Sequence, residues 1–421
     1  MREAHQHEII FEMSRAAGNS LGVYISIPFC RSKCTYCNFA SGVYPASDHA
    51  RYVERLIEDL AGAGSWAEKM GVELPRRVDT VYFGGGTPSL LEPDLLKQLF
   101  STLRSEFSLD ADAEITMECA PGQIADETLE AMVACGVNRA SLGVQSFVDR
   151  EAHVSGRLHS RAIVEADVQR LRTAGITNLN LDLIAGLAGQ TFASWEESLA
   201  ALLECDPPHA SVYMLEVDED SRLGREMLAG GMRYHAELVP TDDAMAEMYE
   251  RAIERFAEAG LKQYEISNFS RPGFTSRHNL RYWERRPYLG IGLDASSALF
   301  DRRDPDEAFL LRAATTDDLK EYLAGPQPVA TSWLSQAQQH EEMWFVGLRL
   351  NAGVSVAAAR REFGRDAVAV ALVKVERLKE AGLVSSDGRT IKLTARGRLI
   401  SNDVFGEFLG LTTGAVEVEQ A

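Results

Sequence analysis

Three cysteines, Cys30, Cys34 and Cys37, fall within eight residues of one another. The C-x3-C-x2-C spacing lets their sulfurs converge on one small inorganic object, and thiolates are soft ligands suited to iron–sulfur clusters or to zinc. A structural zinc site wants a fourth ligand. The nearest candidate, His49, sits in a stretch of helical periodicity. Three thiolates on a four-iron cluster instead leave one iron open to a small molecule. Buried cysteine is also a common core residue, but half of the chain's six cysteines in one loop is poorly explained by packing.

The elements that must position this loop are legible around it. Strand-like runs are expected at 23–28, 78–83, 114–119, 138–144, 178–184 and 209–215. Helical periodicity follows each, near 48–70, 93–107, 126–135, 160–174, 191–204 and 241–259. Such alternation predicts parallel strands with helices outside, an α/β partial (β/α)6 TIM-like barrel, whose active groups come from the C-terminal strand ends. The first strand ends in the cysteine loop and the second in Gly84-Gly85-Gly86-Thr87-Pro88. The third ends at Glu118 and the fourth runs into Gln145, while Asp182 lies in the fifth and Glu216 follows the sixth. Each has a bland reading: the glycines as a turn, Glu118 as a helix cap, Asp182 as a paired structural carboxylate. Polar groups at the same end of every strand are hard to explain as packing.

With Tyr36 before its last cysteine, the loop resembles the radical S-adenosylmethionine (SAM) signature, C-x3-C-x-aromatic-C. The segments VYFGGGTPSLL, NRASLGVQSF, NLDLIAGLAGQT, YEISNFSRPG and RHNLRYW are similar to segments of the HemN/HemW branch of that superfamily, across nearly the whole chain. The resemblance implies a 4Fe-4S cluster on Cys30, Cys34 and Cys37, with SAM chelated at the open iron. It places Tyr24, Gly85, Gly86, Thr87, Glu118, Gln145, Arg157 and Asp182 where the family contacts SAM, with Tyr36 and Phe39 beside the ligand. SAM offers an ammonium, a sulfonium and ribose hydroxyls to carboxylates and amides, and a carboxylate that Arg157 can pair.

The branch holds two functions. HemN-type coproporphyrinogen III dehydrogenases, which act in porphyrin biosynthesis, carry a further cysteine two positions after the third. Here Phe39 stands there. His278-Asn-Leu-Arg-Tyr282-Trp283 matches the HNxxYW motif of the HemW heme chaperones. An imidazole can ligate heme iron axially, and Tyr282 and Trp283 offer flat surface to a porphyrin. Arg277, Arg281, Arg285 and Arg286 could meet propionates; the alternative is a hydrogen-bonded loop histidine beside a solvated arginine patch. The expectation is a heme chaperone, with the dehydrogenase or another radical-SAM enzyme as alternatives. Implied partners are heme, a recipient hemoprotein or respiratory-chain protein met at the membrane periphery, and a second copy in a homodimer. Ala120, Ala188 and Gly-Leu-Asp294-Ala-Ser296-Ser297 depart from the family pattern, and the last lacks a second histidine for heme.

Bulk properties agree. The 421 residues carry a net charge of −19, which argues against nucleic acid as a general partner. No apolar run approaches the roughly 20 residues a membrane helix needs, and Cys119, Cys135 and Cys205 are scattered as in a reducing cytoplasm. The expected divisions are a mobile arm at 1–20, the barrel at 21–265, an extension with the HNxxYW motif at 266–335, and a helical, winged-helix-like domain at 336–421. The last rests on a helix near 368–381 and a hairpin turn at Asp387-Gly388.

Overall fold

The structure, a computed structural model, describes residues 20–301, 309–325 and 329–411. The expected arm at 1–20 lies outside these, except for Ser20, which opens the first strand. Six strands, β1 (Ser20–Ile27), β2 (Arg77–Gly85), β3 (Ser108–Cys119), β4 (Arg139–Gln145), β5 (Asn178–Ala185) and β6 (His209–Met214), run parallel in that order. Helices Ala46–Met70, Pro93–Glu106, Asp126–Ala134, Arg161–Thr173, Phe192–Glu204 and Asp242–Glu258 accompany them, within a few residues of the expected spans. β3 starts earlier than its apolar pattern indicates: the Arg77 guanidinium donates to Asp110 at 2.7 Å and ties the polar run beside β2.

The sheet continues beyond the barrel. Six further strands, β7 (Lys262–Gln263), β8 (Asn268–Ser270), β9 (Tyr288–Ile291), β10 (Ser296–Phe300), β11 (Leu310–Ala314) and β12 (Ala330–Leu334), were not expected. The order is β12-β11-β10-β9-β1-β2-β3-β4-β5-β6-β8-β7, so β1 and β6 are each joined to an outer strand rather than to each other. The barrel therefore stays open.

Strand alternation divides the side chains cleanly. Val23, Ile25, Val81, Phe83, Leu142, Leu181 and Val212 face out into the core shared with the helices. Ser26, Thr80, Thr116, Arg139, Ser141, Asn180, His209 and Ser211, of opposite parity, are buried on the inner face. Barrel interiors are usually filled by branched apolar side chains; this one is polar, and several of its groups satisfy one another. His209 Nδ1 meets Asn180 Oδ1 at 2.6 Å, and the Asn180 amide donates to Ser141 Oγ at 2.8 Å and to Asp182 Oδ1 at 2.6 Å.

The C-terminal part has its own core around Trp344, Leu348, Val368, Val375, Ile391 and Phe408. Helices Gln336–Leu348, Val356–Phe363 and Arg365–Glu380 pack on a small sheet of β13 (Val354–Ser355), β14 (Val384–Ser386) and β15 (Thr390–Leu393). Asp387 closes the hairpin by accepting from the Arg389 and Thr390 amides at 2.8 and 2.7 Å. The winged-helix-like arrangement is the expected one. Among the described residues no helix is long and apolar enough to cross a membrane.

Candidate functional site

A cavity of about 630 Å³ opens at the C-terminal ends of the barrel strands. Its wall gathers Cys30, Cys34 and Cys37 with Tyr36, Phe39, Gly85, Gly86, Thr87, Glu118, Gln145, Arg157 and Asp182. Of the residues singled out for SAM, Tyr24 alone is absent from the wall. It lies one layer deeper, its ring 6.1 Å from that of Tyr82. Tyr213 and the C-terminal segment from Arg398 to Asp403, not singled out from the sequence, also line the cavity.

The cysteine loop is held by backbone bonds to distant elements. Gly42 N donates to Pro28 O at 2.9 Å, Thr35 N to Ser155 O at 3.0 Å, and Leu223 N to Thr35 O at 2.8 Å. Arg157 bridges β4 and the loop: one terminal nitrogen donates to the Gly143 carbonyl and the other lies 3.5 Å from Cys34 Sγ. Among the described residues no three His, Cys, Asp or Glu side chains gather around a single-ion position. A four-iron cluster does not need such a point, because each thiolate meets a different iron, and the donor set is all sulfur.

The backbone amides of the glycine turn bond within the protein. Gly86 N and Thr87 N donate to Ile27 O and Phe29 O, both at 2.8 Å, and Gly85 N donates to Glu118 Oε2 at 3.2 Å. A Cβ on Gly86 would come within 2.8 Å of the Phe29 carbonyl oxygen and 3.0 Å of Cys30 Sγ. The bare backbone lets β2 lie flat against the thiol loop. Gly85, at φ +105°, makes the turn that side chains rarely adopt.

Gln145 is the strained residue of the wall. Its φ is +69°, and its Oε1 is buried with no partner in the protein. A left-handed glutamine with an orphaned acceptor on a cavity wall fits a ligand-binding role. Glu118 accepts from Tyr82 OH at 2.9 Å. Burial, and then the nearby Asp182, push its carboxyl up to about 7 against the Tyr82 and Gly85 bonds. Burial also raises Asp182, opposed by hydrogen bonds from its serine and asparagine neighbours.

Glu118 makes a stability prediction. Its folded pKa lies above the ordinary 4.5, so its contribution is whole below 4.5 and lost as pH rises through about 7. Glu118→Gln should therefore stabilise the unliganded protein by about 2 kcal/mol more at pH 8 than at pH 5.5. Urea midpoints at the two pH values check this; an equal effect at both would mean that the carboxyl is not raised.

The HNxxYW segment lies away from this cavity. His278 is on a short helix, Arg277–Trp283, and only 1% exposed. Its Nδ1 meets Thr80 Oγ1 at 3.0 Å and its Nε2 meets Tyr282 OH at 2.9 Å, while its backbone N donates to Glu114 at 3.0 Å. Burial, and then Arg281, bring the imidazole down to about 3. Both ring nitrogens are engaged inside the barrel. The arginines are not a solvated patch. Arg281 and Arg286 pair with Asp79, and Arg285 with Glu342 and Glu362. Tyr282 and Trp283 line a second, smaller cavity of about 310 Å³ with Arg285, Arg286 and Arg312.

Comparison with known proteins follows this geometry. Residues 24–202 match the radical SAM superfamily model, and residues 334–400 match the HemN C-terminal domain. The chain is 32% identical to "Heme chaperone HemW" of Lactococcus lactis, over 92% of this chain and 96% of that one. It is also 32% identical to the Bacillus subtilis protein of the same name, over 92% and 98%. The solved structure of coproporphyrinogen III oxidase (HemN) from Escherichia coli superposes with a TM-score of 0.77 at 23% identity, over 92% of this chain and 90% of that one.

Proposed function

The chain belongs to the HemN/HemW family of radical SAM proteins, among the relatives called HemW, and on that premise we propose that it is a heme chaperone carrying a 4Fe-4S cluster with exchangeable SAM. The observation that carries the reading is its full-length similarity to proteins named heme chaperones. Phe39 at the position of a further HemN cysteine supports it.

Cys30, Cys34 and Cys37 would hold the cluster, which supplies an open iron for the amino and carboxylate groups of SAM and an electron source beside it. Glu118 and Asp182 receive the cationic and hydroxyl groups of SAM, Arg157 its carboxylate, and Gln145 Oε1 a donor. Gly85, Gly86 and Thr87 keep β2 close enough to the loop for one ligand to touch both. Tyr36 and Phe39 line the same cavity, and Tyr24 supports Tyr82 from below. The expected functional divisions, barrel, extension and C-terminal domain, are kept as part of this proposal.

Heme is the cargo. Tyr282 and Trp283 offer it aromatic surface, and Arg285, Arg286 and Arg312 around the second cavity offer charge to propionates. The cavity takes an edge of the porphyrin. Ligation by His278 would require the imidazole to give up its bond to Tyr282 on its own helix or to Thr80 on β2. A recipient hemoprotein or respiratory-chain protein then accepts the heme.

His278→Ala should weaken heme binding at least about 10-fold, the loss of one coordinated ligand, whereas Tyr282→Phe, which frees Nε2, should not. An unchanged titration and visible spectrum for His278→Ala would remove His278 from the reading. Reconstituted protein given SAM, a strong reductant and coproporphyrinogen III under anaerobic conditions should form no protoporphyrinogen. Multiple turnovers would replace the chaperone with a dehydrogenase.

A further inference from the structure

The inner face of β4 carries Arg139, Ser141, Gly143 and Gln145 in a column. The upper three line the main cavity, and Arg139 lies beneath them, in register with Thr116 of β3 and Asn178 of β5. Arg139 is 2% exposed, one of the largest fully buried side chains. Its Nε has no hydrogen-bond partner, and among the described residues no carboxylate lies within the 4.0 Å of an ion pair. The Thr116 hydroxyl and Asn178 Oδ1 beside it are also unpartnered. Arginine cannot shed its proton to escape burial. A fixed charge kept inside a barrel without a paired carboxylate acts through space, where low polarity lengthens its reach.

We propose that Arg139 is a positioning residue of the cofactor cavity, the buried counter-charge that Glu118 and Asp182 face from above. The proposal rests on the reading that SAM occupies that cavity. The two carboxylates are on the flanking strands β3 and β5, of the same inward parity as Arg139. Arg139 favours the ionised form of each, against the burial that dominates both, and it helps hold His209 and His278 neutral. The cavity wall also carries Arg31, Lys33, Arg157, Arg349 and Arg398; Arg157 is turned to Gly143 and Cys34 and also interacts with Asp182.

The remaining titratable groups around the pair are Cys119, whose thiol burial raises, and four tyrosines: Tyr24 from β1, Tyr82 from β2, Tyr213 from β6 and Tyr282 from the helix 277–283. Burial raises all four, so they stay neutral across the working range. Within the pair each carboxylate disfavours ionisation of the other. Without Arg139 the site would hold two mutually repelling acids and keep its proton to higher pH, losing at neutrality the charge that a sulfonium and an ammonium require.

The test measures SAM binding by equilibrium dialysis on cluster-reconstituted full chain from pH 6 to pH 9. Wild-type binding should rise with pH through a midpoint near neutrality. Arg139→Gln should move that midpoint up by about one unit, so that affinity falls about 10-fold at pH 7 and recovers by pH 9. Arg139→Lys, which restores the charge, should return the midpoint toward the wild-type value. An unmoved midpoint in Arg139→Gln, or a loss that neither pH nor lysine repairs, overturns the proposal. A second variant leaves Arg139 in place: Glu118→Gln should erase the midpoint near neutrality, and its persistence would also overturn the proposal. Wild-type protein that binds no SAM at any pH overturns instead the cofactor reading beneath it.

Discussion

Replacing Cys30, Cys34 and Cys37 together by alanine should leave reconstituted protein with no iron–sulfur absorption and no cluster iron. The thiolates are the only bonds by which the chain would grip the irons, because no carboxylate or imidazole among the described residues joins them in a metal-binding group. Alanine is the informative replacement, since a serine oxygen can still ligate iron weakly. The loop should keep its shape without the sulfurs. It is fixed by the backbone bonds of Gly42 to Pro28, Thr35 to Ser155 and Leu223 to Thr35, none of which uses a thiol. Loss of iron with an unchanged far-ultraviolet circular dichroism spectrum is the expected pair of results. Retention of four irons per chain in the triple variant would end the cluster assignment.

The largest stability effect is expected at Arg281, within the HNxxYW segment. Its guanidinium is fully buried, pairs with Asp79, and donates to Ser20 O at 3.1 Å and Pro287 O at 2.8 Å. Burial, and then the like charge of Arg286, bring it down to about 10, still charged at neutral pH. Burial opposes the ionised form of Asp79, but Arg281, Arg286 and Ser20 together hold it below the usual carboxylate range. Removing one member of a buried pair leaves the other uncompensated, so Arg281→Met should cost about 3–5 kcal/mol by urea denaturation. Gly22 is bound into the same arrangement, because a Cβ there would come within 2.4 Å of Arg281 Cδ. Asp79→Asn in the Arg281→Met background should cost less than it does alone, the coupling expected of contacting residues. A cost below about 1 kcal/mol for Arg281→Met would show that the pair is not holding the extension to the barrel. Heme loss in variants of this motif must therefore be compared with their stability.

The amino-acid sequence by itself determined the cysteine loop, the six β/α units and the strand ends that surround one cavity. These are local properties. Period-two and helical patterns assign each element, and a parallel barrel then sends the C-terminal ends of all its strands to one face. Glu118, Gln145 and Asp182 could be placed together because each stands at, or near, such an end. Tertiary structure alone decided the rest. His278 reads as an available imidazole until Thr80, far away in the chain, is found to take its Nδ1. The arginines near it read as a solvated patch until Asp79 and Glu342 are found beside them. The outer strands β7 to β12 are short and weakly patterned, and they form because β1 and β6 leave free edges to pair. Arg139 shows the difference most clearly. Its position at the head of an apolar strand says nothing of its neighbours, and only the pairing of β4 with β3 and β5 sets it beneath two carboxylates. Sequence pattern fixes which face of an element a side chain takes, whereas the partners on that face come from distant segments and are set when the elements pack.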